Sequence, residues 1–164
     1  MDPRTRLTGI VATLAAIALT GCATLRVHSY LERGADFTHY RSYAWTSRDG
    51  LSTGDPRLDN NRFFSQRVEQ AVNLHLAARG FEHAGAGAAD LLVHIHPQVY
   101  EAGTLFVDLI DRRTNTLVWR GWAESSLDGV IDDQRSMEET IDKTVAQILA
   151  RLHAMWRDRR KEAL

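Results

Sequence analysis

Three strand-length segments between residues 91 and 125 constrain the fold more than any other part of the sequence. Their side chains alternate in character, and alternate residues of an extended strand share one face. One set of alternate positions carries no charge: Leu91, Val93, Ile95, Leu105, Val107, Leu109, Leu117, Trp119, Gly121 and Ala123. The other set mixes apolar, aromatic and charged side chains. The pattern predicts three neighbouring strands with one buried face and one mixed face.

The link between the second and third segments provides a test of this assignment of faces. Buried residues lie opposite buried residues only if the two strands are joined by a loop of odd length. A loop over residues 112–114 satisfies this condition, and Asn115 then takes the left-handed position of a three-residue hairpin. We therefore predict an antiparallel hairpin here.

Two amphipathic helices flank these strands in the sequence. Apolar residues recur every three to four positions over residues 61–79, and Gly80 is typical of a helix end. A second apolar stripe runs from residue 134 or 136 to residue 159, where Ser136 and Glu139 have the spacing of a capping box. Each helix therefore has one apolar side that can cover a sheet.

Shorter segments at residues 26–32 and 41–47 have the alternation or the aromatic content of strands, and residues 48–61 form a loop. The resulting order is β-β-α-β-β-β-α. Two helices that cover one face of a mostly antiparallel sheet form a two-layer α+β sandwich, which is the predicted fold class.

The N-terminus has the features of a targeting segment. Arg4 and Arg6 precede an apolar stretch at residues 7–19, which is shorter than the about 20 residues that a spanning helix needs. The stretch ends in the sequence LTGC, and Cys22 is the single cysteine of the chain. This arrangement resembles a bacterial lipobox. The alternative is an incidental cysteine after a discarded signal or a short hydrophobic helix.

The lipobox resemblance implies cleavage before Cys22 and a covalent lipid such as palmitate on its thiol. Residues 1–21 would then be a removed signal peptide, residues 22–25 a lipidated tether and residues 26–164 a single periplasmic domain. Acyl chains would hold the domain on the membrane. No other cofactor is expected. Ala23 occupies the position at which aspartate favours inner-membrane retention, so the resemblance implies the outer membrane of a Gram-negative cell envelope.

Four further stretches carry a family resemblance: DFTHYRSYAW at residues 36–45, LAARGF at 76–81, ADLLV at 89–93 and GTLFVDLIDRRTNTLVWRGWA at 103–123. Together they resemble the family called domain of unknown function 4136, a group of Gram-negative lipoproteins. The resemblance implies a lipobox, a compact α+β domain that faces the periplasm, and no defined reaction or catalytic residues.

Composition and motifs argue against several classes of function. The net charge of -1 lacks the basic excess of a nucleic-acid-binding protein. The sequence has no G-x-S-x-G motif and no P-loop lysine beside its glycines. We therefore expect a protein that is not an enzyme, with an envelope hydrolase as the alternative.

The mixed face of the strands is the predicted binding surface. Its candidate residues are His94, His96, Phe106, Asp108, Val118, Arg120, Trp122 and Glu124. Apolar area with a charged rim is typical of a surface that binds a protein or a small ligand. The alternative is that the N-terminal strands, the long loop or a second copy of the chain covers it.

Two further features allow a functional and a structural interpretation. His94 and His96 project from one face of a strand and, with Asp108, could hold a metal ion; otherwise they are solvated imidazoles. The basic run RDRRK at residues 157–161 could contact anionic lipid, or it could be the solvated end of a helix, where positive charge is favourable.

Overall fold

The computed structural model describes residues 25–46, 53–59, 61–99, 103–126 and 129–162, with the backbone alone for residues 99 and 153–162. The predicted signal peptide, Cys22 and the start of the tether lie outside these residues. Within these residues, six strands and three helices follow one another. They are β1 (Arg26–Leu31), β2 (Ser42–Trp45), α1 (Pro56–Asp59), α2 (Arg62–Ala77), β3 (Glu82–His83), β4 (Leu91–Val99), β5 (Gly103–Asp111), β6 (Thr116–Ser125) and α3 (Gln134–Glu162).

The strands form one open sheet in the order β1-β6-β5-β4-β2-β3. The pairs β1–β6, β6–β5 and β5–β4 are antiparallel, whereas β2 is parallel to both β4 and β3. The α+β class and the mostly antiparallel sheet are confirmed. The short elements α1 and β3 were not predicted, because four and two residues are too few to show a periodicity.

Both long helices pack on the uncharged face of the sheet. Val68 and Val72 of α2 and Ile148 of α3 share one hydrophobic cluster with Leu91, Trp119 and the other buried strand residues. The side chain of Asn73 on α2 accepts hydrogen bonds from Tyr43 and Trp45 of β2, at 2.8 and 3.0 Å. These contacts give the two-layer arrangement, with the helices on one face and the mixed face turned away from them.

The hairpin between β5 and β6 differs from the prediction in its detail. Asp111 pairs with Thr116, so the turn has four residues, and Leu109 still pairs with Trp119 because a bulge shifts the register. Asn115 has φ 54°, as predicted for the left-handed position. The bulge, rather than a loop of odd length, places buried residues opposite buried residues.

Because of the bulge, the predicted faces of two neighbouring residues are wrong. Val118 was assigned to the binding surface, but it is 5% exposed and belongs to the hydrophobic cluster. Leu117 was assigned to the core and is only half-buried. Strict alternation ends where two residues of β6 oppose one residue of β5. In addition, Glu32, the residue after β1, donates a backbone hydrogen bond to the Val118 carbonyl.

The caps of the two long helices differ in part from the prediction. Asn61 caps α2 by accepting a hydrogen bond from the backbone of Phe64, and Gly80 follows the helix with φ 83°. The predicted capping box at Ser136 is wrong, because α3 begins earlier and the Asp133 carboxylate accepts the Ser136 N–H at 2.7 Å. Either residue satisfies a free N–H of the first turn, so the sequence alone allowed both.

The C-terminal basic run lies within α3, whose backbone extends to Glu162. Among the described residues, no helix is both long enough and apolar enough to cross a membrane.

Candidate functional site

The face of the sheet turned away from the helices carries three rows of side chains, each crossing β1, β6, β5 and β4 in register. We call the middle one the aromatic row, and it consists of His28, Trp122, Phe106 and His96. The ring of His28 stacks on Trp122 with centroids 5.2 Å apart, and Phe106 stacks on the other side of Trp122 at 6.1 Å. The rings of His28, Trp122 and Phe106 therefore form a continuous stack along the row.

The second row, the ion-pair row, consists of Tyr30, Arg120, Asp108 and His94. Arg120 donates from Nε and one Nη to the two carboxylate oxygens of Asp108, at 2.7 and 2.6 Å. Asp108 is 2% exposed, whereas the Arg120 side chain keeps 38% of its surface in solvent. The bidentate pair satisfies a carboxylate that would otherwise be buried without a partner.

Arg120 also connects the two rows, because its guanidinium carbon lies 5.6 Å from the centroid of Phe106. This is the distance of a cation–π contact. The hydrogen bonds from Arg120 to Asp108 raise the pKa of the guanidinium further above its usual value. Arg120 is therefore a fixed positive charge at the centre of the face.

The third row, the outer polar row, consists of Arg26, Glu124, Thr104 and Gln98. It lies at the end of the sheet where β1 begins. The aromatic row thus runs between two polar rows. Each of these rows carries a positive charge, a negative charge and uncharged hydrogen-bonding groups.

Two imidazoles and one carboxylate converge where the aromatic row meets the ion-pair row. The rings of His94 and His96 have centroids 3.8 Å apart, and His96 Nε2 lies 3.4 Å from a carboxylate oxygen of Asp108. One nitrogen or oxygen from each of the three side chains lies within 4.8 Å of the other two. Burial lowers the pKa of His94, and so do His96 and Arg120, while Asp108 acts in the opposite direction.

Seven of the eight predicted surface residues lie on this face, and Val118 does not. β1 also contributes to this face, with Arg26, His28 and Tyr30, and this contribution was not predicted from the sequence. Their alternation with Val27 is visible in the sequence, but the alternation does not identify the neighbouring strand. The ion pair of Asp108 with Arg120 was not predicted either.

A family model, described as domain of unknown function DUF4136, matches residues 27–102 and 96–152. These ranges include the whole sheet except Arg26, and most of α3. The chain belongs to the DUF4136 family. The family match confirms the resemblance of the four stretches, and it assigns no activity. None of the curated proteins matches the sequence.

Solved structures share the DUF4136 fold at low sequence identity. A DUF4136 family protein from Bacteroides thetaiotaomicron has a TM-score of 0.55 and 11% identity, over 75% of this chain and 95% of that chain. The PelC dodecamer from Paraburkholderia phytofirmans has a TM-score of 0.52 and 12% identity, over 77% and 95%. A PDZ domain protein from Parabacteroides distasonis has a TM-score of 0.53 and 14% identity, over 86% and 39%. These similarities establish the fold.

Proposed function

We propose that this DUF4136 chain is a lipid-anchored module of a Gram-negative cell envelope that binds a protein partner through the three rows of the sheet face turned away from its helices. In this proposal Cys22 carries the acyl chains, the domain faces the periplasm from the outer membrane, and no residue acts in catalysis. The observation that carries the proposal is the aromatic row, which lies on the face opposite the helices and between two polar rows.

The composition of the face favours a protein partner. Aromatic residues and arginine are enriched at the centres of protein interfaces, and tryptophan, tyrosine and arginine contribute most of the binding energy there. Trp122, Phe106 and Arg120 lie together at the centre of this face, and all three are partly exposed. Their packing against one another holds the rings in place before a partner binds, which lowers the entropy lost on binding.

The charges on the face add specificity. Arg26, Glu124 and Arg120 place both signs beside the aromatic row. A partner with complementary charges would bind in one orientation, whereas a purely apolar surface would attract many partners.

The position of β1 agrees with an anchor at Cys22. β1 begins at Arg26, in the outer polar row, and Leu25 packs against the hydrophobic cluster. Residues 22–25 can span at most about 14 Å when fully extended. The outer polar row would therefore face the membrane surface, and the sheet face would stand beside it within reach of other envelope proteins.

The PelC neighbour from Paraburkholderia phytofirmans is a dodecamer, so this fold can assemble with copies of itself. The protein partner is therefore either a second copy of the chain or a different envelope protein. The experiment below distinguishes them by the mass of the product.

Photo-crosslinking in living cells tests the binding surface. A photoreactive amino acid replaces Trp122 in one variant and Gln147, exposed on α3, in the control. We expect one discrete adduct at position 122 and none at 147, and the adduct should weaken when Phe106→Ala is added. Twice the mass of the chain would identify a second copy, and any other discrete mass a different protein. Adducts at both positions or at neither would contradict the proposal.

The anchor is tested separately by Cys22→Ser. Mass spectrometry of the wild-type chain should find an acylated N-terminus at Cys22, and the variant should lose both the acyl mass and its place in the membrane fraction. An unmodified cysteine in the wild-type chain would overturn the anchor and leave the proposed binding surface unaffected.

A further inference from the structure

We propose that His94, His96 and Asp108 form a binding site for a divalent transition-metal ion of the zinc type. The inference goes beyond the proposed function, because it requires neither an acyl anchor nor a protein partner. It rests on the positions of three side chains on two paired strands.

The backbone register brings the three ligands together. His94 and His96 alternate along β4, so both rings project from the same face, and Asp108 of β5 pairs directly with His94. Their nearest nitrogen and oxygen atoms already lie within 4.8 Å of one another. Zinc binds nitrogen and oxygen at about 2.0–2.2 Å, so ligand atoms around one tetrahedral ion lie about 3.3 Å apart. Small side-chain rotations would close this gap without a change in the sheet.

The ligand types select the kind of ion. Imidazole nitrogen suits zinc, copper and nickel, whereas calcium and magnesium take oxygen ligands almost exclusively. Two imidazoles and one carboxylate make three protein ligands, and this number leaves at least one position for water or another donor. The site therefore resembles an open, exchangeable metal site more than a closed structural one.

Arg120 determines which lone pairs of the Asp108 carboxylate remain available to a metal ion. A carboxylate has about four lone-pair positions, and the two hydrogen bonds from Arg120 use two of them. The remaining positions can face an ion, while Arg120 holds the carboxylate in a fixed orientation, as hydrogen-bonding partners of metal ligands commonly do. The positive charge of Arg120 opposes a second cation nearby, so we expect weaker binding than in a site without it.

Calorimetric titration of the full-length protein in detergent, after chelator treatment, tests the site with Zn²⁺ as the probe. We expect one ion per chain and a loss of affinity of about tenfold or more in His94→Gln and in His96→Gln. His39→Gln is the matched control, because His39 is not one of the three proposed ligands and lies in an exposed pair with Asp36, whose carboxylate is 2.9 Å from His39 Nε2. The control variant should bind as the wild type does.

Co²⁺ in place of Zn²⁺ gives a second readout. Coordination by the imidazoles should produce visible absorption that disappears in the double variant His94→Gln/His96→Gln. Thermal melting of each variant confirms that it is folded, and the histidine variants keep the Asp108–Arg120 pair intact. Absence of saturable Zn²⁺ binding by the wild type, or equal binding by the double variant, would overturn the site.

Discussion

Trp119 and Trp122 lie three residues apart on β6, yet they have opposite environments. Trp119 is 0% exposed, beneath α3 on the helix-covered face, whereas Trp122 is partly exposed on the other face between His28 and Phe106. The amino acid and the strand are the same, so the difference comes from what covers each face. One tryptophan fills the core, and the other belongs to a preformed surface.

Gly121 shows how closely the helix-covered face is packed. A Cβ atom at this position would overlap the Trp119 ring and would lie 2.7 Å from Ile148 Cγ2. The missing side chain lets α3 approach the sheet directly over Trp119. The aromatic row needs no glycine of this kind, because its rings pack against one another along the surface.

The largest expected effect is the loss of stability in Trp119→Ala. Removal of this buried ring should lower the free energy of unfolding by about 3–5 kcal/mol. Urea denaturation followed by circular dichroism measures the loss. Trp119→Phe should lose less, because it keeps one aromatic ring in the core. A loss below about 1 kcal/mol in Trp119→Ala would show that α3 does not cover this face as described.

The next largest effect is expected for Gly121→Ala. The added methyl group must displace Trp119 or Ile148, which should cost about 1–3 kcal/mol of unfolding free energy. Gly85→Ala is the control, because a Cβ at Gly85 meets no atom within 4 Å, and its change should stay within about 0.5 kcal/mol. Similar effects of the two substitutions in denaturant titrations would contradict the close approach of α3.

Trp122→Ala should have a smaller effect on stability. It removes two ring contacts at a partly exposed surface, so the free energy of unfolding should fall by under about 1 kcal/mol. Trp122→Phe should recover part of that loss in the same denaturation assay. Losses of equal size for Trp119→Ala and Trp122→Ala would mean that both faces of the sheet are buried.

The smallest effect is a pH dependence that arises from His94. Its pKa is lowered in the folded protein, mainly by burial, from the value of 6.5 that the unfolded chain retains. As the pH falls through about 6.5, the unfolded state therefore takes up the proton first, and stability decreases. His94→Gln should show a weaker decrease in urea titrations between neutral and mildly acidic pH, measured with chelator present. An unchanged slope would contradict the lowered pKa.

Much of the fold was predictable because periodicity is a local property. Alternation over residues 91–125 assigned most strand residues to the correct face, and the apolar stripes located α2 and α3. The predicted assignment of faces matches the structure wherever alternation continues without interruption, from His94 to Asp108 and from Arg120 to Glu124. It failed at Val118, where the bulge adds one residue to β6.

The remaining features depend on contacts between distant parts of the chain. Nothing in the alternation of β1 indicates that it pairs with β6, and this pairing is what brings His28 onto Trp122. The ion pair of Asp108 with Arg120 requires the register of β5 and β6 to be known first. Sequence patterns give the faces of single strands, whereas a site that crosses four strands requires their order and register.

Protection from chemical labelling tests whether the sheet face is free in the isolated chain and covered by a partner in the cell. Tyr30→Cys places a thiol on this face, in the ion-pair row away from the outer polar row, and Gln147→Cys places one on α3; both native side chains are exposed. Peptide mass spectrometry identifies the labelled site. In the purified protein both thiols should react with a maleimide at similar rates. In intact cell envelopes the thiol at 30 should react more slowly than the thiol at 147. Equal rates in the envelope would contradict the proposed binding surface.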